Sequence, residues 1–380
     1  MTTPLRRTAA RPLIMLGALA LGAAGLAACG ANDSEGGSDA DASVSESASS
    51  SGGGGGATIA LLLPESKTTR YEAFDKPLFE KKVGELCADC EVSYYNADQD
   101  EAKQSEQLET AITEGAKVIV LDPVNGDGAG GMIESAHAAS IPVIAYDRFI
   151  EGADYYMSFD NETVGKIQGQ ALVDAMGGKG DILMLNGAPS DPNAAQFKKG
   201  AHSVIDASDI KVLEEYDNPD WSPENAQQFV TDQLSKYDPS EINGVYAAND
   251  GQAGGVVAAL TGAGVAADAL PPITGQDAEL AAVQRIIAGE QSMTVYKPIP
   301  IEANTAAEVA VDLATGTDVP ATTESGIAQS DYEGVTSFIF TPIAVTKDNV
   351  TDTIIADGFY SASDICTGDY ADACTAAGIS

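Results

Sequence analysis

The chain has 380 residues, with 57 acidic and 20 basic side chains and a formal net charge of −37 at pH 7. This excess of negative charge argues against binding to nucleic acid and against adsorption to anionic lipid. Only two histidines are present, His137 and His202, which leaves little scope for histidine-based catalysis or a histidine zinc site. We predict neither a cofactor nor a bound metal.

The first 28 residues have the pattern of an export signal. Arg6, Arg7 and Arg11 precede an apolar stretch, residues 13–28, that is too short and wrongly flanked for a membrane span. The run Leu26-Ala27-Ala28-Cys29 resembles a bacterial lipoprotein signal, which implies that Cys29 is lipidated and becomes the mature N-terminus. An ordinary cleaved signal peptide is the alternative. The arginine pair leaves both Sec and twin-arginine export open.

Residues 29–56 are predicted to be a disordered acidic tether. They are mostly Ser, Gly, Ala, Asp and Glu, with Val44 as the single branched aliphatic residue. Such a segment cannot bury enough apolar surface to fold. We therefore expect a protein held at the outer face of the cytoplasmic membrane by its lipid alone.

From residue 57 onward, predicted strands alternate with predicted helices, a pattern typical of parallel α/β sheets. Strands are predicted at 58–63, 91–95, 118–121, 142–146, 181–185, 211–216, 244–247 and 272–274. About 320 residues exceed what one core usually serves, and the two halves of the pattern look like copies. The fold class is α/β, with two Rossmann-like lobes joined by a multi-strand hinge. We expect an N-terminal lobe at 57–159 plus 297–330 and a C-terminal lobe at 160–296 plus 331–375.

A ligand site is predicted beyond the ends of the strands. In open α/β sheets ligands bind past the carboxyl ends of the strands, and the apolar run 141–146 ends in Asp147 and Arg148. A carboxylate accepts hydrogen bonds and a guanidinium donates several, so the pair suits neighbouring hydroxyls of a neutral polyol. The alternative is a salt bridge with a purely structural role.

Trp221 is the only tryptophan and lies in a polar turn between a predicted strand and a predicted helix. In that place its ring can stack on the apolar face of a sugar. The alternative is that Trp221 belongs to the hydrophobic core.

Two enzymatic interpretations compete with a binding protein. The run Gly126–Gly131 fits a dinucleotide-binding pattern, but it follows the third predicted strand and not the first. Asp147 and Asp277 could be the carboxylate pair of a glycosidase. A neighbouring cation such as Arg148 lowers the pKa of a carboxylate, which is the wrong direction for a general acid. The sequence therefore favours binding.

Four cysteines beyond Cys29 occur as two close pairs. In an exported chain, local disulfides Cys87–Cys90 and Cys366–Cys374 are expected. A thioredoxin-like role for Cys87 and Cys90 is the alternative, but the motif ends a predicted helix and does not begin one.

From about residue 58 to 361 the chain resembles the periplasmic sugar-binding proteins of ABC transporters, in the ribose/galactose-binding (type I) fold group. It is most similar to D-xylose-binding proteins and next to the ChvE-type multi-sugar receptor. The motifs that carry the resemblance are Ala145–Arg148, Ser158–Glu162, Pro223–Ala226, Asn249–Gly251, Gly275–Ala278, Met293–Pro298 and Ala303–Glu308.

The resemblance implies an aldose monosaccharide as ligand, a cleft that closes on it, and a membrane permease with its ATPase as partners. It implies a monomer that imports the sugar; a sugar sensor for a receptor kinase is the alternative. The residues implied to hydrogen-bond the sugar are Arg70, Asp147, Arg148, Asn193, Asn249, Asp277 and Lys297, while Tyr71 and Trp221 stack on its two faces.

Three departures leave the identity of the sugar open. D-xylose binders usually have Trp where Tyr71 stands. Pro192 replaces a second Asn beside Asn193. The loop Pro64–Lys67 looks more like that of the multi-sugar receptor.

Overall fold

A computed structural model of the protein describes residues 56–379. The predicted signal peptide, the predicted lipidation site Cys29 and nearly all of the predicted tether lie outside the described residues.

The described chain alternates strands and helices as predicted. The strands are β1 (Thr58–Leu63), β2 (Glu91–Asn96), β3 (Val118–Leu121), β4 (Val143–Tyr146), β5 (Tyr155–Phe159), β6 (Lys179–Asn186), β7 (Asp209–Asp217), β8 (Gly244–Ala247), β9 (Thr294–Tyr296), β10 (Ser330–Tyr332), β11 (Val335–Phe340) and β12 (Ile343–Val345). The α-helices are α1 (Lys76–Leu86), α2 (Glu101–Thr113), α3 (Gly130–Ala138), α4 (Asn161–Met176), α5 (Pro192–Ile205), α6 (Pro223–Gln233), α7 (Asp250–Gly262), α8 (Leu280–Ala288), α9 (Ile299–Thr315), α10 (Ala362–Ile365) and α11 (Ala371–Ala377). Single π-helical turns occupy Tyr71–Asp75 and Thr351–Ile355.

The first lobe is built on a seven-stranded sheet in the order β10-β11-β5-β4-β3-β1-β2. All neighbours pair in parallel except β10 and β11. Both faces of β1 are buried: Ile59, Leu61 and Leu63 pack into one apolar cluster, and Ala60 and Leu62 into another. This burial explains why β1 is apolar without interruption.

The second lobe is built on a smaller parallel sheet in the order β7-β6-β8. Single bridges from Val245 to Ile273 and from Gln276 to Val295 extend it beyond β8. The central strand β6 again contributes to two clusters, with Ile182 and Met184 in one and Leu183 and Leu185 in the other. The expected α/β class, with two lobes on parallel sheets, is therefore confirmed. The strand predicted at 272–274 is reduced to the bridge at Ile273.

The end of the chain departs from the predicted lobe boundary. β11 pairs with β5 in the first sheet, and β10 with β11, whereas the prediction assigned residues 331–375 to the second lobe. The assignment of 331–340 is therefore wrong. These residues form a hairpin through a tight turn at Glu333 and Gly334, both with positive φ, and thus complete the edge of the first sheet. Only afterwards does β12 pair with β9.

Disulfides join Cys87 to Cys90 and Cys366 to Cys374, the pairs expected from the sequence. Cys87 follows the last residue of α1, so the first pair lies at a helix end. The second ties the C-terminal helix α11 to the end of α10. Within residues 56–379, none of the helices is both long and apolar enough to cross a bilayer.

Candidate functional site

The carboxyl ends of the strands bring polar and aromatic side chains from both lobes around one cavity. This is the place where ligands bind in open α/β sheets. About 280 Å³ of space around these side chains is filled by no protein atom, and this figure includes space open to solvent. The lining residues of the cavity are Thr68, Arg70, Tyr71, Asp147, Arg148, Asp191, Asn193, Phe197, Trp221, Asn249, Gln276, Asp277 and Lys297. All nine residues predicted to contact a ligand are among them.

Three of the lining residues have a left-handed backbone. The φ angles are 57° for Asp147, 60° for Trp221 and 90° for Asp277. Residues other than glycine rarely adopt this conformation, and they persist in it where the surrounding structure enforces it, often at functional sites. Asp147 directly follows β4, Asp277 follows the bridge residue Gln276, and Trp221 lies in the turn between β7 and α6.

Arg148 crosses between the lobes. Its Nε lies 3.0 Å from Asp191 Oδ2 of the second lobe and 3.4 Å from Asp122 Oδ1 of the first. Its Nη1 donates to the Pro123 carbonyl at 2.9 Å and its Nη2 to the Tyr71 hydroxyl at 3.3 Å. Arg148 thus forms structural ion pairs, with Asp122 and Asp191 and not with the neighbouring Asp147, and it lines the cavity as well. The two roles are combined in one side chain.

Asp147 is held ionised by its surroundings. Burial would raise its pKa, but the positive charges of Arg70, Lys297 and Arg148 outweigh that effect and lower the pKa. Arg70 Nη1 donates to Asp147 Oδ1 at 3.3 Å. A carboxylate kept in its charged form is suited to accepting hydrogen bonds.

Lys297 and Asp277 form a buried ion pair, with 2.9 Å between Nζ and Oδ1. Burial would lower the pKa of Lys297, but Asp277 and Asp147 raise it. The ammonium also lies 5.8 Å from the ring centres of Phe159 and Phe197. Lys297 therefore stays charged and stays fixed.

The two predicted asparagines are oriented by the backbone around them. The side chain of Asn193 donates to the Asp147 carbonyl of the other lobe at 3.0 Å and accepts from Asn161 at 2.9 Å. Pro192 begins α5 just before it and does not remove Asn193 from the cavity. Asn249 caps α7 by accepting from the Gln252 N–H at 3.0 Å, which leaves its amide nitrogen for a ligand.

The aromatic side chains are shared between the cavity and the core. Trp221 and Phe197 meet edge to face, with ring centres 6.4 Å apart. The Trp221 Nε1 donates to Asp191 Oδ2 at 3.2 Å. Tyr71 belongs to a core cluster of the first lobe and Trp221 to one of the second. The core interpretation of Trp221 thus holds together with the cavity interpretation.

Loops of the two lobes also contact each other around the cavity. Lys67 of the first lobe pairs with Asp220 of the second, and the Gly126 N–H donates to the Ser190 carbonyl at 3.2 Å. The Thr69 N–H lies 3.4 Å from Glu279 Oε1; burial, reinforced by the charge of Asp277, raises the pKa of Glu279 to about 7. A Cβ on Gly126 would lie 2.9 Å from the ring of Pro192. The first glycine of the dinucleotide-like run thus permits a close approach between lobes.

Comparison with known proteins identifies the family. Residues 59–318 match the family model described as "Periplasmic binding protein domain". The chain belongs to the periplasmic binding protein family. The resemblance inferred from the sequence motifs is thereby confirmed.

Within this family the chain is similar to sugar-binding members. The D-xylose-binding periplasmic protein of Escherichia coli (strain K12) is 39% identical over 313 residues, which cover 81% of this chain and 92% of that protein. The multiple sugar-binding periplasmic receptor ChvE of Rhizobium radiobacter is 34% identical over 70% of this chain and 80% of its own length. A crystal structure of a carbohydrate transporter solute binding protein from Chloroflexus aurantiacus, in complex with D-glucose, has a TM-score of 0.70 and 30% identity. It covers 80% of this chain and 97% of that one.

Four lining residues of this periplasmic binding protein were not predicted: Thr68, Asp191, Phe197 and Gln276. Asp191 had a signal in the sequence, because it stands directly before Pro192 at the start of a helix, where Asp is a preferred cap. It accepts from the Asn193 N–H at 2.8 Å in that role. Gln276 stands beside the predicted Asp277. Phe197 and Thr68 had no signal of their own.

Proposed function

We propose that this protein binds one neutral aldose monosaccharide between its two lobes, with D-xylose favoured. The observation that supports a neutral ligand is the balance of formal charge around the cavity. Three cations, Arg70, Arg148 and Lys297, line it together with three carboxylates, Asp147, Asp191 and Asp277. An anionic or cationic ligand would upset this balance in a buried site, where an unpaired charge is costly.

The remaining lining residues also suit a sugar. A pyranose presents hydroxyls around its edge and apolar C–H groups on its faces. Tyr71 and Trp221 offer flat apolar surfaces, while Asn193, Asn249 and Gln276 add hydrogen-bonding amides. The names of the similar proteins, a D-xylose-binding protein and a multiple sugar-binding receptor, support the same class of ligand.

The second candidate is a binder of several aldoses, including glucose, galactose and arabinose, that reports sugar to a receptor kinase. Tyr71 favours it, because the resemblance implies Trp at that position in D-xylose binders. The loop Pro64–Lys67 points the same way. The two candidates share the cavity and differ in how many sugars fill it.

A glycosidase remains the least supported alternative. The lowered pKa of Asp147 is the wrong direction for a general acid, and the Asp277 carboxylate is occupied by its ion pair with Lys297. We therefore infer that the sugar is released unchanged.

The function is tested by thermal denaturation of the purified protein against a panel of pentoses and hexoses. A ligand that binds only the folded state stabilises it by about 2.7 kcal/mol at one hundred times its Kd. We expect D-xylose to raise Tm most, and the sugar recovered afterwards to be chemically unchanged. Equal shifts for several hexoses would favour the second candidate, and no shift with any sugar would refute both.

We further propose that the protein is a lipid-anchored, monomeric component of an ABC importer at the outer face of the cytoplasmic membrane. There it delivers sugar to a permease and its ATPase. The lipoprotein-like run 26–29 supports the anchor. Replacing Cys29 with Ser should release the protein from the membrane fraction of lysed cells. A Cys29→Ser protein that sediments with membranes as fully as the wild type would contradict the anchor.

A further inference from the structure

Arg70 faces three carboxylates, all of them buried. Asp75 accepts from its Nε at 2.9 Å and from its Nη2 at 2.7 Å. Glu302 accepts from the same Nη2 at 2.7 Å, and Asp147 from Nη1 at 3.3 Å. None of these four side chains is more than 5% exposed. One positive charge therefore faces three groups that can each be negative.

Among the described residues, Glu302 and Asp75 belong to this cluster but do not line the cavity, and Glu302 is the one of the two with an unpartnered carboxylate oxygen. It lies in the first turn of α9, is fully buried, and its Oε1 has no hydrogen-bond partner among the described residues. Its near neighbours come from several elements. The titratable groups that act on Glu302 or feel its charge are Arg70, Asp75, Tyr146, Asp147, Tyr156 and Lys297.

The cations of the cluster compensate a charge on Glu302 only in part. Lys297 is paired with Asp277, and Arg70 is already shared by Asp75 and Asp147. Burial raises the pKa of Glu302 well above its ordinary value, and Arg70 only partly opposes this. Glu302 accepts from Arg70 through Oε2 and can do so in its neutral form.

We propose that Glu302 is a positioning residue of the sugar site, which holds Arg70 in place when neutral and weakens sugar binding when it ionises. This inference rests on the proposed function. On the side away from the cavity, Nη2 of Arg70 contacts Asp75 and Glu302, each at 2.7 Å. On the cavity side, Nη1 makes the longer contact of 3.3 Å with Asp147. A negative charge on Glu302 strengthens its hydrogen bond with Arg70 Nη2. It thereby draws the guanidinium away from Asp147 and the ligand.

The test measures Kd for the sugar that the panel selects, by titration calorimetry from pH 5 to pH 9. For the wild type we expect Kd to rise as the pH passes above the raised pKa of Glu302. Glu302→Gln keeps a neutral acceptor of the same shape, so its Kd should stay near the low-pH wild-type value at every pH. Glu302→Leu removes the acceptor. At every pH its Kd should exceed the low-pH wild-type value by at least about tenfold, which corresponds to the loss of one charge-assisted hydrogen bond.

Glu308→Gln is the matched control. Glu308 lies on the same helix, is 8% exposed and pairs with Lys82 at 3.2 Å, outside the cavity. Its replacement should leave Kd and the pH profile of Kd unchanged. A merely structural role for Glu302 predicts that both Glu302 variants shift Tm and leave Kd and its pH profile as in the wild type.

The inference is overturned if Glu302→Gln retains the wild-type pH profile, or if folded Glu302→Leu binds as tightly as the wild type. Should Glu302→Leu fail to fold, the Gln variant still decides the question. A wild-type protein that binds no sugar of the panel overturns the proposed function, and this inference with it. If the wild type binds sugar and the Glu302 variants have the same Kd and pH profile as the wild type, this inference alone is overturned.

Discussion

Replacing Arg148 with Ala is expected to raise the Kd for the sugar by roughly 30- to 1,000-fold, since charge-assisted hydrogen bonds are lost and their partners are left unsatisfied. The same change should destabilise the protein. Arg148 is the nearest cation to Asp191 and Asp122, and removing one partner of a buried ion pair costs about 3–5 kcal/mol. Titration calorimetry on the folded variant, with Tm in parallel, separates the two effects.

Lysine should restore little of the lost affinity. It keeps the charge but loses the planar fork with which Arg148 reaches Asp191, the Pro123 carbonyl and the Tyr71 hydroxyl together. The control is Arg285→Ala on α8, whose guanidinium bonds the Asp250 carbonyl at 2.8 Å outside the cavity. It should lower Tm and leave Kd unchanged. An Arg148→Ala protein whose Kd stays within about threefold of the wild type would refute a binding role for Arg148.

Adding one methyl group at Gly187 is expected to weaken sugar binding by at least about tenfold, because the group would displace the Trp221 ring. A tenfold change in Kd corresponds to ~1.4 kcal/mol of binding free energy. A Cβ at this position would lie 2.0 Å from Cη2 of Trp221 and 2.1 Å from Cζ2. Because Trp221 is also held by Asp191 and by Phe197, its ring cannot move without breaking those contacts. Gly187→Ala therefore shifts the proposed stacking surface.

Gly84→Ala is the matched control for Gly187→Ala. Gly84 lies inside α1, and a Cβ there would meet nothing within 4 Å. Alanine favours a helix over glycine by about 1 kcal/mol, so this variant should gain stability and keep its Kd. Calorimetry and the fluorescence of the single tryptophan should report the difference. Wild-type affinity and an unchanged emission spectrum for Gly187→Ala would show that the ring had not moved.

The sequence was most informative where strands are buried on both faces. β1, β3 and β8 have the predicted bounds, because an uninterrupted apolar run between polar turns has few other interpretations. β5 was not predicted, since it follows β4 without the intervening helix that the alternation led us to expect. α8 was missed although Ala282, Val283, Ile286 and Ile287 follow helical spacing, and all four are buried.

The start of α1 shows what local patterns cannot supply. The apolar spacing of residues 72–86 favours one continuous helix, whereas the chain forms a π-helical turn at Tyr71–Asp75 before α1 begins. The wider turn allows Arg70 and Asp75, five positions apart, to pair through two hydrogen bonds. That pairing depends on burial beneath α9, and burial depends on the complete fold.

The site was predictable in its strand-end residues and less so in their supports. Asp147 and Arg148 end an apolar run and Asp277 follows the predicted strand 272–274, so their place in the fold follows from the alternation. Asp191 and Glu302 come close to them only when separate elements pack together. Nothing in the run Ile299–Thr315 marks Glu302 as a neighbour of Arg70, which precedes it by 232 positions.

Tyr71 and Trp221 each line the cavity and also belong to the hydrophobic core of a lobe. This shared use limits how the binding specificity can evolve. Substitutions at Asn249 or Gln276 alter hydrogen bonding and leave the apolar clusters intact. Replacing either ring by a smaller side chain opens a cavity in a core and lowers the free energy of unfolding by a few kcal/mol. Natural proteins lie only slightly above the stability that function requires, so such a loss is rarely tolerated. New sugar preferences should therefore arise first through substitutions at polar lining residues such as Asn249 and Gln276. Tyr71 and Trp221 should change most slowly.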